Sequence, residues 1–186
     1  MKKTIIKHQK CKTMSENRKN LYYLDDLSGY KVASDYSDVT GWDVKDADNR
    51  RIGNVDRLLA NKETKQVVYL DVEVDEAVIA DGHEVYDKSA SDGAHGFLNK
   101  DGESHLIIPI GMVRLDENNK NVISDTINYS TFSKTKRFGK GAQVDRDYEV
   151  SVLGQYSQEQ VGDDTQYPDD EEFYNRREFR RPEDRG

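Results

Sequence analysis

Apolar and polar positions alternate most cleanly over residues 41–74, GWDVKDADNRRIGNVDRLLANKETKQVVYLDVEV. Trp42 and Val44 alternate with Asp43 and Lys45, the period of a strand with one buried face. Residues 46–51 break that pattern with turn-forming Asp and Asn. A second strand is predicted over residues 52–59, where Gly53 permits a bulge or the close approach of another backbone. Residues 61–65 turn the chain again. In the third strand, residues 67–74, Val68, Leu70, Val72 and Val74 share one face, and Tyr69, Asp71 and Glu73 share the other.

The pattern is less regular on either side. LYYLDDLSGY, residues 21–30, reads as a short helix or an extended entry segment, with Tyr22, Tyr23, Leu24 and Leu27 capping one opening of a barrel. Residues 31–36 read as extended. Residues 75–104 show no sustained period, contain four glycines, and offer Ser89 or Ser91 as the cap of a short helical turn within 85–97. A connection of that length inside a compact domain is commonly functional or disordered. HLIIPI, residues 105–110, is a strand apolar on both faces, and Pro109 places it at an edge or a bulge. Gly111 breaks it. Met112, Val113 and Leu115 continue inward, residues 117–120 form a polar turn, and residues 121–127 form a further strand through Ile123 and Ile127.

Five or six short strands, tight polar turns and almost no helix predict a mostly β fold, a small barrel or sandwich. Closing such a sheet removes its sticky edges. Beyond residue 130 the apolar residues thin to Val144, Tyr148, Val150, Val152 and Leu153. Residues 157–170 are polar, and Pro168, Asp169 and Asp170 then start a short helix near residues 169–181, with acids at the positive end of its dipole. Phe173 and Phe179 do not quite share a face, so that helix is expected to be frayed rather than docked. The division is a basic segment over residues 1–20, a body over 21–129 and a polar extension over 130–186.

Composition sharpens this picture. The 186 residues are 34% hydrophobic and 34% charged, too polar for the whole chain to pack around one core, so the ends are expected to be weakly ordered. The net charge of −8 is uneven: +6 over residues 1–20, −11 over 21–129 and −3 over 130–186. An acidic body repels phosphates, which argues against direct nucleic-acid contact. The single Cys11 excludes an intrachain disulfide. No apolar run approaches the roughly 20 residues of a membrane span, Ile5 and Ile6 alone make no signal-peptide core, and His8, Gln9 and Lys10 before Cys11 make no lipobox. A cytoplasmic protein without a membrane span is expected.

Taken together, the turn with Ile52 and Gly53, the strand VVYLDV (residues 67–72) and IPIGMVRLD (residues 108–116) resemble a PRC-barrel domain. That is the small β-barrel of the cytoplasmic part of the photosynthetic reaction-centre H subunit and of a bacterial ribosome-maturation factor. The resemblance covers about residues 24–129. It implies a single small PRC-type barrel, and its motifs specify fold more than activity. Neither a transmembrane helix nor a second barrel precedes the body, so the chain is closest in pattern to stand-alone bacterial members. The reading that follows is a non-enzymatic protein-binding or assembly module, with a protein partner or a second copy of itself. The alternatives are an accessory role in RNA or ribosome metabolism through a ribosomal protein, and a metal or enzymatic site on the 75–105 loop.

The candidate chemistry is sparse. His83, His95 and His105 match no compact ligand spacing and have no second cysteine to help, so they read as solvated loop histidines. Asp71, Glu73, Asp75 and Glu76 read as the solvated face of a strand rather than an acid/base pair. Cys11 has no base nearby in sequence. Neither phosphate-cradling glycine motif is present. No catalytic, metal or cofactor residue is assigned. The eleven tyrosines read as caps on the barrel ends and staples for the tails, the alternative being a partner surface on the outward side of residues 67–74.

Overall fold

Two long strands form the centre of the molecule. The computed structural model describes residues 21–33, 37–78, 104–157 and 169–181. Its strands are β1 (Leu21–Tyr23), β2 (Asp43–Lys45), β3 (Arg51–Asn61), β4 (Gln66–Val74), β5 (His105–Pro109), β6 (Arg114–Asp116) and β7 (Asn121–Ile123). Three short helices follow: α1 (Tyr129–Lys134), α2 (Arg146–Ser157) and α3 (Asp170–Tyr174). The predicted helical turn within residues 85–97 lies outside the described residues.

Local chemistry sets the turns. Between β2 and β3 the buried Asp46 accepts the N–H groups of Asp48 (2.9 Å) and Arg50 (2.7 Å), while Asn49 takes a left-handed φ of 63°. Its second oxygen accepts the N–H of Tyr129 at 2.9 Å, so the same carboxylate also fixes the start of α1. Between β3 and β4, Asn61 accepts the N–H of Thr64 and Lys65 takes a φ of 56°. Gly53 is required by contact: a Cβ there would lie 2.0 Å from the carbonyl oxygen of Glu73 on β4.

The strands form one seven-stranded mixed sheet, in the order β5-β4-β3-β2-β7-β6 with β1 beside β3. Every pairing is antiparallel except β2 with β7. The two ends of that order are consecutive in sequence. Five residue steps from Pro109 to Arg114 reach at most about 18 Å, whereas five strand spacings of a flat sheet span about 24 Å. The sheet therefore cannot be flat and curls enough to bring its end strands within that reach. Among the described residues no ladder joins β5 to β6, so the sheet stays open. The connection Ile110–Met112 turns as a 3-10 helix instead. Gly111 within it lies beneath the C-terminal segment, with a Cβ position 2.4 to 2.7 Å from the carbonyl oxygens of Arg177, Glu178 and Arg180.

The expectation of almost no helix and a frayed C-terminus is corrected. Phe132, Val152, Leu153, Tyr156, Phe173, Tyr174 and Phe179 belong to the same buried cluster as Tyr69 and Ile107. Asp169 caps α3 by accepting the N–H of Glu172 at 2.8 Å, as its sequence predicts. The 3-10 turn Arg177–Phe179 then rotates Phe179 back beside Phe173, with ring centroids 5.6 Å apart, and edge-on to Tyr69 at 5.2 Å. The change from α to 3-10 geometry puts the two phenylalanines on one face, which an unbroken helix would not do.

Candidate functional site

The curled sheet has a covered face and a cleft. The cleft, of about 560 Å³, is lined by Val39, Leu58, Val67, Leu70 and Val113, with Arg114, Asp116 and Glu117 at its rim. A second cavity, of about 960 Å³, adjoins it and shares Val32, Val67, Ile110 and Arg181. Residues of β4 and β6, four strands apart in the sheet, thus face one hollow at the open seam. β6 pairs with β7 on one edge, and no described strand pairs with its other edge. Leu115 at its centre is 37% exposed, one of two large apolar side chains so placed among the described residues.

The covered face carries the titratable groups. Asp71 is fully buried, and the Nδ1–H of His105, itself buried, donates to its Oδ1 at 2.8 Å. Register explains the pair: Asp71 lies opposite Ile107, which puts His105 on the same face two residues along β5. Burial raises the Asp71 carboxyl above its ordinary range, against the pull of His105. Asp56 completes a trio. It is the extra residue of a β-bulge, since Val55 pairs with Val72 and Arg57 with Asp71. Bulges re-aim side chains, and one ligand atom each of Asp56, Asp71 and His105 lies within 4.8 Å of the other two. Lys140 donates to Asp56 Oδ1 at 2.8 Å. Tyr23 sits beside the trio under the Arg57 guanidinium, 3.8 Å from its ring centroid. Burial, then the charge of Asp71, holds the Tyr23 phenol well above its ordinary value.

A second polar group lies under the C-terminal segment. Glu149 on α2 is fully buried, accepts the Tyr174 hydroxyl at 2.7 Å, and has the Arg146 guanidinium 3.6 Å away. Burial raises its carboxyl to about 7, opposed by Arg146 and Tyr174. Arg146 also pairs with Asp170 and stacks on the Phe173 ring at 3.6 Å, tying α2 to α3. A third buried charge, Arg137, donates to the carbonyl oxygen of Val78 at 3.0 Å, and burial lowers its pKa.

These positions revise several expectations. Asp71 is not on a solvated face: it is fully buried against His105, whose ring packs on Phe138, and beside Asp56, which Lys140 holds. Glu73 and Glu76 are exposed and Asp75 half-buried, as a solvated edge requires. His105 is a buried strand residue rather than a solvated loop histidine. His83, His95 and Cys11 lie outside the described residues. The outward side of β4 is no partner surface: Tyr69 is wholly buried there. The tyrosines do act as staples, since the hydroxyls of Tyr23, Tyr129, Tyr148 and Tyr156 donate to the carbonyl oxygens of Ala142, Ala77, Lys136 and Ile107. Sequence reasoning missed Asp56 and Glu149. Glu149, Val152, Leu153 and Tyr156 follow the i, i+3, i+4, i+7 spacing of one helix face, a signal hidden because its first member is charged. The bulge that recruits Asp56 has no local sequence signature.

Among the described residues no helix is long and apolar enough to cross a membrane. The chain matches no model of a known protein family, and no curated protein is detectably similar to it.

Proposed function

We propose that the chain is a non-enzymatic binding and assembly module of PRC-barrel type, working in the cytoplasm through strand addition at β6. The observation that carries the reading is the β6 edge, which no described strand pairs, beside a cleft with an aliphatic floor and a polar rim, with Leu115 exposed at the centre of the strand. Strand addition takes affinity from main-chain hydrogen bonds and specificity from pockets for alternate side chains. The curl of the sheet, its end strands joined by residues 110–113, supports the PRC-type reading. In this chain the barrel seam is open on the β6 side.

The sequence of β6 favours a second copy as the occupant. An antiparallel pairing centred on Leu115 places Arg114 of each copy opposite Asp116 of the other, a self-complementary arrangement of the kind twofold interfaces need. The existing Arg114–Asp125 ion pair is exposed at both partners and so offers little resistance to exchange. Light scattering on the full-length chain tests this. The wild type runs as a dimer, Arg114→Asp and Asp116→Arg each run as monomers, and the double exchange restores the dimer. A wild type that stays monomeric at high concentration removes self-assembly, and a double exchange that stays monomeric removes this register.

A further inference from the structure

The geometry points to a divalent transition-metal site formed by Asp56, Asp71 and His105 on the covered face of the sheet. The three residues come from three adjacent strands, β3, β4 and β5, and are brought together by a bulge and a diagonal cross-strand pair. The trio contains more than the hydrogen bonds it makes. Oδ2 of Asp71 and Oδ2 of Asp56 are both buried without a hydrogen-bond donor among the described residues. Two buried carboxylate oxygens left in that condition, on residues that bring a ligand atom each within 4.8 Å of the other, are costly and call for a physical reason. Asp71 is held at zero exposure by well-packed neighbours, so it cannot turn to water for a partner.

A cation satisfies both oxygens at once. Tetrahedral zinc with bonds of about 2.0–2.2 Å holds its ligand atoms roughly 3.4 Å apart. The trio spans 2.8 Å for Asp71 to His105 and at most 4.8 Å overall, so shifts of under an ångström or so close the shell. The metal displaces the Nδ1 proton of His105, which leaves to solvent, and Nδ1 turns from hydrogen-bond donor to ligand. One imidazole nitrogen with two carboxylates selects zinc, manganese or ferrous iron over magnesium and calcium, which prefer oxygen alone. Lys140, 62% exposed and bonded to Asp56 Oδ1, is the cation a metal has to displace or share with, while the Arg57 guanidinium stays paired with Asp25 and Asp26 over the Tyr23 ring. The site is separate from the β6 edge, and its occupation is independent of strand addition there.

The test uses the full-length chain, stripped with chelator, then titrated with Zn²⁺ by calorimetry and with Co²⁺ by visible absorption. Expected is one Zn²⁺ per chain at this site and the intense d–d bands of a low-coordinate Co²⁺. Asp56→Ala, a half-buried position whose loss leaves the strands intact, lowers Zn²⁺ affinity at least about tenfold, since even outer-shell partners cost that much. His105→Gln does the same and abolishes the Co²⁺ bands. Circular dichroism checks that each variant is folded, and if His105→Gln is not, Asp56→Ala alone decides. A folded wild type that takes up no Zn²⁺ overturns the site. So does metal uptake of equal affinity in folded Asp56→Ala, which would place the metal on other residues of the chain.

Discussion

The two faces of β4 read in sequence as one apolar and one solvated, and the structure opens a cleft on the first and buries much of the second. On one face Val67 and Leu70 line a cleft that opens at the sheet seam. On the other, Tyr69 is sealed against Phe179 of the terminal 3-10 turn, and Asp71 is buried with His105 beside Phe138. Alternation tells which residues share a face, but not what comes to cover it. The cover here is chain from beyond residue 130, poor in apolar residues, which brings its own polar groups into the interior. That face adds Glu149 of the cover to Asp71 and His105 of the strands, whereas the cleft has an aliphatic floor and a polar rim of Arg114, Asp116 and Glu117. The buried titratable groups are thus concentrated on the covered side.

Breaking the cover has the largest expected effect. Phe173 is wholly buried between Arg146, Tyr174 and Phe179, so Phe173→Ala costs about 3–5 kcal/mol in denaturant unfolding. The next effect depends on pH. Glu149 ionises near 4.5 when unfolded and at about 7 when folded, so the folded state binds the extra proton between those values. Its contribution is fully favourable below about pH 4.5 and falls as pH rises through 7, by about 3 kcal/mol in all. Glu149→Gln, which still accepts from Tyr174, flattens that slope in a series of unfolding curves between pH 5 and 8. An unchanged slope would contradict the placement of Glu149.

Smaller effects separate the two sides further. Gly111→Ala sets a Cβ against three carbonyl oxygens of the C-terminal segment and costs about 1–3 kcal/mol, with earlier proteolysis near residues 175–181. On the cleft side, Leu115→Lys changes stability by no more than about 0.5 kcal/mol, because the side chain is already exposed. Its effect falls on the mass measured by light scattering instead. A variant at Leu115 that destabilised the fold as much as Phe173→Ala would erase the contrast between the faces.

Much of the sheet was legible because its signals are local. The alternation in β4 and the double-sided apolar run of β5 are set by neighbours within a few residues, and Gly53 marked a close approach although the backbone that makes it, at Glu73, lies on the next strand. Asp46 was readable as a turn residue, though its bond to Tyr129 was not, since that contact joins residues 83 apart. The cover was illegible for the same reason. Its helix α2 presents a glutamate at the head of its buried stripe, made tolerable by the Tyr174 hydroxyl from α3 and by Arg146 one turn back on α2. Asp71 was read as solvated by the same alternation rule that located β4 correctly. The rule fixes a side of the strand and leaves open whether that side meets water. The trio with Asp56 depends on a one-residue bulge, a feature of pairing between strands rather than of either strand alone.

The central claim is that residues 129–157 and 169–181 are the second layer of the fold and not a tail attached to a finished domain. Native-state hydrogen exchange tests it most directly. The account predicts that the slowest amides of α2 exchange with the same free energy and denaturant dependence as those of β3 and β4, one cooperative unit opening together. Amides of α2 that exchange through a separate opening several kcal/mol lower, with β4 still protected, would contradict it.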